Sequence, residues 1–415
     1  MSYHQRSPRR ATLSPARTRF IGMDGHQASS AVASVAQEHG AAVPSLGTLG
    51  TRQGAIDQRL RTMPSTATHG LLLSAAGPCG SWLSRSLTNK GDDGGVVAPS
   101  LIPKTPGDRV TTDRRDAVPV ARLARSGDLT VVDVPQVAEE ARRDLARARE
   151  DTRGDLKSAT CRLNACWLRH ESRDTGRATW GPAHLRWLSD VVCPPPAQHI
   201  VFPEDVRAIH EHTARRQRLD QALPDQVTSW RLQPVVEARQ ALRGVPFITA
   251  VTMVAEMGEL PRFESPRALM TCLGLMPSAY TSAERRRQGA MTKAGNTHAR
   301  RALVEGAWAS RYPAKVSRHV QLRLETHPNI SQDLRWKAQV RRCQRDRPLI
   351  ARGQHANLVT VAMARELAGC MGAMAKQVPV PPEGQDRSRL HDARSRMAHG
   401  HRTRRRPGVV SPSAA

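Results

Sequence analysis

The chain has 415 residues, with 63 Lys and Arg against 37 Asp and Glu and a formal net charge of +26. That length implies two or three domains, and that charge points to nucleic acid as the partner. A membrane-surface protein would set large apolar residues opposite a basic helix face, yet aromatics are only 3% of this chain. No stretch approaches the roughly 18 consecutive apolar residues of a membrane span, and Met1-Ser-Tyr-His-Gln-Arg6 lacks a signal-peptide core. A cytoplasmic protein without membrane contact is expected. Cysteines at 79, 161, 166, 193, 272, 343 and 370 are odd in number and lack a C-x-x-C pair, so they read as reduced thiols.

Residues 1–18 are polar, basic and expected to be disordered. Phe20–Asp24, Ser30–Ala36 and Ala42–Thr48 then read as three short strands, with turns at Gly25-His-Gln27 and His39-Gly40. A helix at Gln53–Thr62, a strand at Gly70–Ala75 and a helix at Cys79–Lys90 follow. Next come a strand at Gly95–Ala98, a helix at Asp113–Ser126 and a last strand at Val131–Val134. Strands alternating with helices predict an α/β layered domain with a mixed sheet over 19–134. From Pro135 the pattern changes. Ala141, Leu145, Ala148, Thr152, Leu156, Ala159, Leu163 and Cys166 recur at spacings of three and four among charges, which predicts a long coiled-coil-like helix. A second charged helix, Glu204–Leu223, can run back against it to make a helical connector over 135–232. The default role of such a connector is a solvated spacer or an oligomerisation arm. The region 233–375 reads as mainly helical, with turns at Gly244, Pro261, Pro277, Gly289, Gly295 and Pro313. Residues 376–415 form a basic tail, also expected to be disordered.

Two constellations carry chemistry. Asp113-Arg-Arg-Asp116 opens a helix, so its carboxylates share one face and can hold a hard cation such as Mg²⁺ together with Asp24 at a strand end. The competing reading makes Asp113 a cap and Asp116 ordinary first-turn charge. Between Thr281 and Arg301 stand six Lys and Arg and one acid, Glu284. Arg285, Arg286, Arg287, Lys293, Arg300 and Arg301, with Asn296 among them, suit a run of phosphates. Ser282 or Thr281 at the cluster's edge could act as a nucleophile whose alkoxide the cations stabilise; the alternative is a serine bonded to backbone. Leu242–Ala250 reads as a helix-hairpin-helix element or as an ordinary helical corner.

Taken together, these segments resemble a known family. Ile21-Gly-Met-Asp-Gly-His26, Ala76-Gly-Pro-Cys-Gly80, Val97–Pro103, Pro106-Gly-Asp-Arg109, Thr112–Ala117, Leu273-Gly-Leu-Met-Pro277, Thr292-Lys-Ala-Gly-Asn296, His298-Ala-Arg-Arg301 and Ala364–Ala368 resemble, in order, the insertion-sequence transposases of the IS-one-ten type, the bridge-RNA-guided DEDD/serine recombinases. The resemblance spans about 19 to 375. It implies an RNase-H/RuvC-like N-terminal domain, a coiled-coil connector and a mainly α C-terminal transposase domain. It also implies Mg²⁺-dependent DNA strand cleavage and exchange through a phosphoserine, by a homo-oligomer guided by a structured RNA. By position, Asp24, Asp113 and Asp116 match the family's aspartates, and Ser282 matches its serine, with Thr281 the alternative.

The family's glutamate is missing: its position is Ala75, and no acid stands between Thr62 and Asp92 to replace it. Gly25, Gln27 and Ala283 are lesser departures. These changes suggest a copy with impaired cleavage. The alternatives are a DNA/RNA-binding relic and a Holliday-junction-type endonuclease in which water attacks.

Overall fold

The computed structural model describes residues 18–25, 29–38, 42–50, 52–62, 69–77, 80–91, 93–103, 112–169, 180–191, 195–282, 285–316, 318, 321 and 332–381. Residues 1–17 and 382–415 of the expected tails, the turn residues His26, Gln27, His39 and Gly40, the segment Pro106–Arg109, and Cys79, Ala283 and Glu284 lie outside them, whereas Val378 and Val380, expected in the second tail, pack on the core. The chain divides into two compact units, Met1–Gln136 and Val137–Ala415.

In the first unit, β1 (Thr18–Gly25), β2 (Ser29–Ala36), β3 (Ser45–Gly50), β4 (His69–Ala75), β5 (Asp93–Val97) and β6 (Val131–Val132) form one mixed sheet in the order β3-β2-β1-β4-β5-β6. Strands β1, β4 and β5 are parallel, while β2, β3 and β6 pair antiparallel to their neighbours. Side chains alternate between the faces, as the two-residue period of a strand requires. Ile21, Met23, Val32 and Leu72 pack on one face with Ile56 of α1 (Gln53–Thr62) and with Leu83 and Leu87 of α2 (Gly80–Asn89). On the other face lie Phe20, Ala31, Ala33 and Val35 with Ala117 and Ala121, and Leu73 and Val97 with Val120 and Ala124. All four of these helical residues belong to α3 (Asp113–Ser126). Its ends are written locally: the Thr112 side chain accepts from the Arg115 amide at 3.3 Å, and Gly127 closes it in the left-handed conformation. Gly22 lets α3 lie directly on β1, since a Cβ there would stand 2.4 Å from the Ala117 carbonyl oxygen.

In the second unit, α4 (Val137–Arg169) and α6 (Pro196–Thr228) form an antiparallel hairpin, with α5 (Pro182–Asp190) at its tip. Arg142 Nε donates to the Gln226 carbonyl at 3.1 Å, Arg149 pairs with Asp220, and Leu163 packs with Ile209. Thr152, Ala159, Leu163 and Cys166 of the predicted seam are buried. Ala141 is exposed instead, and Ala146 is buried. The first turns of α4 pack on α8 (Phe247–Met257) as well as on α6, and Arg143 Nε donates to the Ala255 carbonyl at 2.8 Å. Helix α6 begins eight residues earlier than its charge pattern suggests, since Pro196 fits a first turn that needs no N–H partner.

The hairpin's base shares a core with the rest of the unit. Ala146, Leu223 and Val227 join Trp230 and Leu232, and residues of α7 (Gln233–Gln240), α8, α9 (Pro266–Cys272), α10 (Thr297–Ala307) and α12 (Ala356–Ala375). Helix α11 (Gln332–Ala351) packs on α12. Among the described residues, α12 alone is long and apolar enough to cross a membrane, but Met363, Ala364, Leu367, Ala368 and Met371 are fully buried in this core. The corner between α7 and α8 brings Gly244 against α10: a Cβ there would stand 2.0 Å from the Gly306 carbonyl oxygen.

Candidate active site

The three predicted carboxylates of the first unit stand on elements that share one end of its sheet. Asp24 pairs with Ala31, which packs against α3, so Asp24 shares the α3 face of β1. At the far end of α3, Arg125 Nη1 donates to the Glu38 carbonyl beyond the end of β2. Helix α3 therefore runs antiparallel to β1, and its first turn, with Asp113 and Asp116, lies at the Asp24 end. This is the carboxyl edge of the parallel strands, where α/β sheets place their ligands. Asp116 is exposed, and Asp113 is the first helical residue; its side chain is outside the described set. Ser74 pairs with Met23, so Ala75 comes next to Asp24, on the face of Leu71 and Leu73. Carboxylate oxygens at an open edge suit a hard divalent cation that keeps part of its water shell. Among the described residues no group of three His, Cys, Asp or Glu converges on one point.

The serine of the second unit stands on a feature the helical reading of 233–375 missed. Strands β7 (Pro277–Ser282) and β8 (Arg285–Met291) form an antiparallel hairpin. Its sequence hides it, because both faces are polar and Tyr280 is 72% exposed. No apolar alternation marks it. Its register separates the two candidate hydroxyls. Ser282 lies opposite Arg285 and Tyr280 opposite Arg287, so these four share one face; Thr281 lies opposite Arg286 on the other. Both hydroxyl residues are exposed, as are Arg285 and Arg287, and neither arginine makes an ion pair among the described residues. The Ser278 hydroxyl donates to the Ala290 carbonyl and is thereby occupied.

The two flanking motifs clamp the hairpin's base. The Thr292 amide donates to the Met276 carbonyl at 2.8 Å, Lys293 to Gly274 at 3.1 Å and Asn296 to Cys272 at 3.1 Å. Gly274 has φ +62°, and a Cβ on it would stand 2.1 Å from the Ala294 carbonyl oxygen, which explains the glycine of Leu273-Gly-Leu-Met-Pro277. Lys293 itself is left-handed, at φ 57°, and exposed.

The other predicted phosphate ligands are engaged inside the unit. Asn296 Oδ1 accepts from the Ala299 amide at 2.9 Å and caps α10, while its Nδ2 donates to Glu256 Oε2 at 2.7 Å. Glu256 is buried on α8 and receives a two-pronged contact from Arg147 at 2.7 and 2.9 Å. Burial pushes the Glu256 carboxyl up, but hydrogen bonds from Arg147 and Asn296 and the charges of Arg147 and Arg143 outweigh it and hold the group below its ordinary value. Arg300 donates to the Leu273 carbonyl at 3.0 Å. Arg301 pairs with Glu150 at 2.9 Å and Glu305 at 3.0 Å, and Glu150 also meets His298 at 2.7 Å. Glu256 was not legible as a partner, since α8 offers a single acid in an apolar run; its contacts come from α4 and α10, distant in sequence.

The structure thus sets acidic residues at a sheet edge in the first unit and a serine strand beside exposed arginines in the second. Residues 239–321, which include the whole serine hairpin, match the family described as transposase IS116/IS110/IS902. A transposase of Sinorhizobium fredii is 38% identical over 361 residues, covering 87% of this chain and 89% of its own. The transposase for insertion sequence element IS1533 of Leptospira borgpetersenii is 25% identical over 272 residues, covering 64% and 78%. The chain belongs to the IS116/IS110/IS902 family of insertion-sequence transposases.

Proposed function

We propose that this transposase cleaves and rejoins DNA strands through Ser282. The observation that carries the reading is the hairpin register, which sets Ser282 on one face with Arg285 and Arg287. In the proposed step the Ser282 hydroxyl gives up its proton and Oγ bonds to phosphorus. The phosphorus–oxygen bond to the departing strand breaks and its oxygen takes up a proton, replacing through water the one the serine lost, which leaves a phosphoserine and a strand hydroxyl. Attack by a second strand's hydroxyl reverses the exchange and frees the serine. Arg285 and Arg287 neutralise the phosphate oxygens as charge grows on them. The sheet order, with β1, β4 and β5 parallel and β2 antiparallel, supports an RNase-H-like reading of the first unit. Asp24, Asp113 and Asp116 would hold Mg²⁺, whose charge would stabilise a phosphodiester oxygen. Guidance by a structured RNA and work as a homo-oligomer belong to the same reading, which rests there on family resemblance.

Ala75 supports a further statement: this copy binds DNA better than it cuts it. A carboxylate lost beside Asp24 costs metal affinity, by at least the 10–100-fold typical of losing a group that merely orients a ligand. The test is an adduct trap with a nicked DNA substrate carrying the element's end and Mg²⁺. Ala75→Glu should raise the yield of covalent protein–DNA adduct, Ser282→Ala should abolish it and Thr281→Ala should leave it. Adducts that survive Ser282→Ala overturn the serine assignment. Robust exchange by the unaltered chain overturns the impairment.

A further inference from the structure

Away from the hairpin, the second unit holds a cavity of about 470 Å³ between the end of α11, the start of α12 and the short 3₁₀ turn Trp308–Arg311. Trp308, Arg311, Asp346, Arg347, Ile350 and Ala356 line it. Its chemistry is mixed in a specific way. Asp346 is 7% exposed as a residue; its carboxylate feels the charge of Arg311 but accepts no hydrogen bond among the described residues. Asp346 lines the cavity without an engaged donor, which leaves carboxylate acceptors for a ligand in a space large enough to hold one. The Arg311 guanidinium lies over the Trp308 ring at 5.5 Å from its centroid, so two flat groups meet at the cavity wall. Burial pushes the Asp346 carboxyl up while the Arg311 charge opposes it, as expected of an acid waiting for a donor.

We propose that this cavity takes one unpaired nucleobase of a single strand, and that Asp346 selects guanine. An unstacked base needs a flat surface to lie on, and Trp308 with Arg311 offers one. Guanine alone presents two adjacent N–H donors, N1–H and the N2 amino group, on its pairing edge. A carboxylate can accept both at once, whereas adenine offers it one amino group and uracil or thymine one imino group. Cytosine, with its N4 amino group, is the nearest competitor. Arg347 on the same wall suits the attached phosphate. A base so read must be unpaired, which fits a bulge or loop of a guide RNA or a displaced DNA strand. This inference rests on the reading of the protein as a nucleic-acid enzyme, but it uses none of the hairpin's residues.

The test uses the full chain and short fluorescent single strands, oligothymidine or oligouridine with one central G, A, C or inosine, read by anisotropy. The G strand should bind about tenfold tighter than the A strand, and inosine, which lacks the N2 amino group, should fall between them. Asp346→Asn should erase the preference for G. Ala356→Phe, an exposed residue at the rim, should block G binding with the fold intact by circular dichroism. The DNA and RNA arms show which strand the site prefers. Equal binding of G and A, or a G preference that survives both variants, overturns the proposal. Loss of duplex DNA binding in the unaltered chain would instead overturn the wider nucleic-acid reading.

Discussion

Arginine is used in opposite ways in two regions of the second unit. On the β7–β8 hairpin, Arg285 and Arg287 are exposed and make no ion pair among the described residues. Along α4, Arg143, Arg147 and Arg153 reach one after another to acids on α8 and α10. A spacing of four puts Arg143 and Arg147 on one face of α4, and Arg153 reaches α10 from the flank. The first group is available to phosphate; the second ties the base of the helical hairpin to α8 and to the helix that follows the serine strand. The count of 63 Lys and Arg thus overstates the surface offered to nucleic acid, because part of the arginine is structural.

The sharpest way to break this comparison is at the buried acid. Glu256→Ala leaves Arg147, Arg143 and Asn296 without their shared acceptor and should cost about 3 kcal/mol, read by chemical denaturation. Loss under 0.5 kcal/mol would show that the contacts along α4 are incidental. Because the folded Glu256 is held below its ordinary 4.5, its contribution is present at neutral pH. It fades as pH drops below the ordinary carboxylate range and through the folded value. The stability gap between the unaltered chain and Glu256→Gln should narrow over that window and stay level above pH 6.

Arg239 marks a third use, or a misuse. It is fully buried on α7, no hydrogen-bond partner is present among the described residues, and burial lowers its guanidinium to about 9. Arg239→Met should leave the chain as stable or gain about 1–2 kcal/mol in the same measurement. A loss of comparable size would reveal a partner for that charge.

On the hairpin the readout changes. Arg285→Ala with Arg287→Ala should leave stability within about 0.5 kcal/mol. Duplex affinity should fall by roughly tenfold per lost phosphate contact near 0.1 M salt, and the salt slope should drop by about one for each. Affinity that ignores salt would remove the electrostatic account. The smallest effect is expected at Arg301, half-exposed and paired with Glu150 and Glu305. Arg301→Ala should change stability by less than about 1 kcal/mol and leave duplex affinity alone. A fall matching that of the hairpin variant would restore the sequence reading of Arg301 as a phosphate ligand.

Legibility followed locality. Helix α3 is written in its own residues, from Thr112 and Asp113 to Ser126 and Gly127, and appears where expected. The apolar strands β1, β2 and β4 announce themselves by composition. Asp24 could be placed at a strand end, but its position near the first turn of α3 depends on Gly22 and on the direction of α3, which no local pattern encodes. The β7–β8 hairpin has two wet faces and so no period to read. Asn296 looked like a phosphate ligand because it follows Lys293 in a basic stretch; its amide is consumed by Glu256 and by the α10 cap.

Helix α12 has a consequence for how the protein is made. It is the last described helix, and five of its residues fill the middle of the second unit's core, against elements synthesised more than fifty residues earlier. That core stays open until the ribosome has released residues up to about 375. A message interrupted after the serine hairpin would yield a chain with every proposed catalytic residue and no closed interior, and such chains expose apolar surface to chaperones and proteases. Truncated copies should therefore be cleared from the cell before they can compete with the full-length protein for DNA.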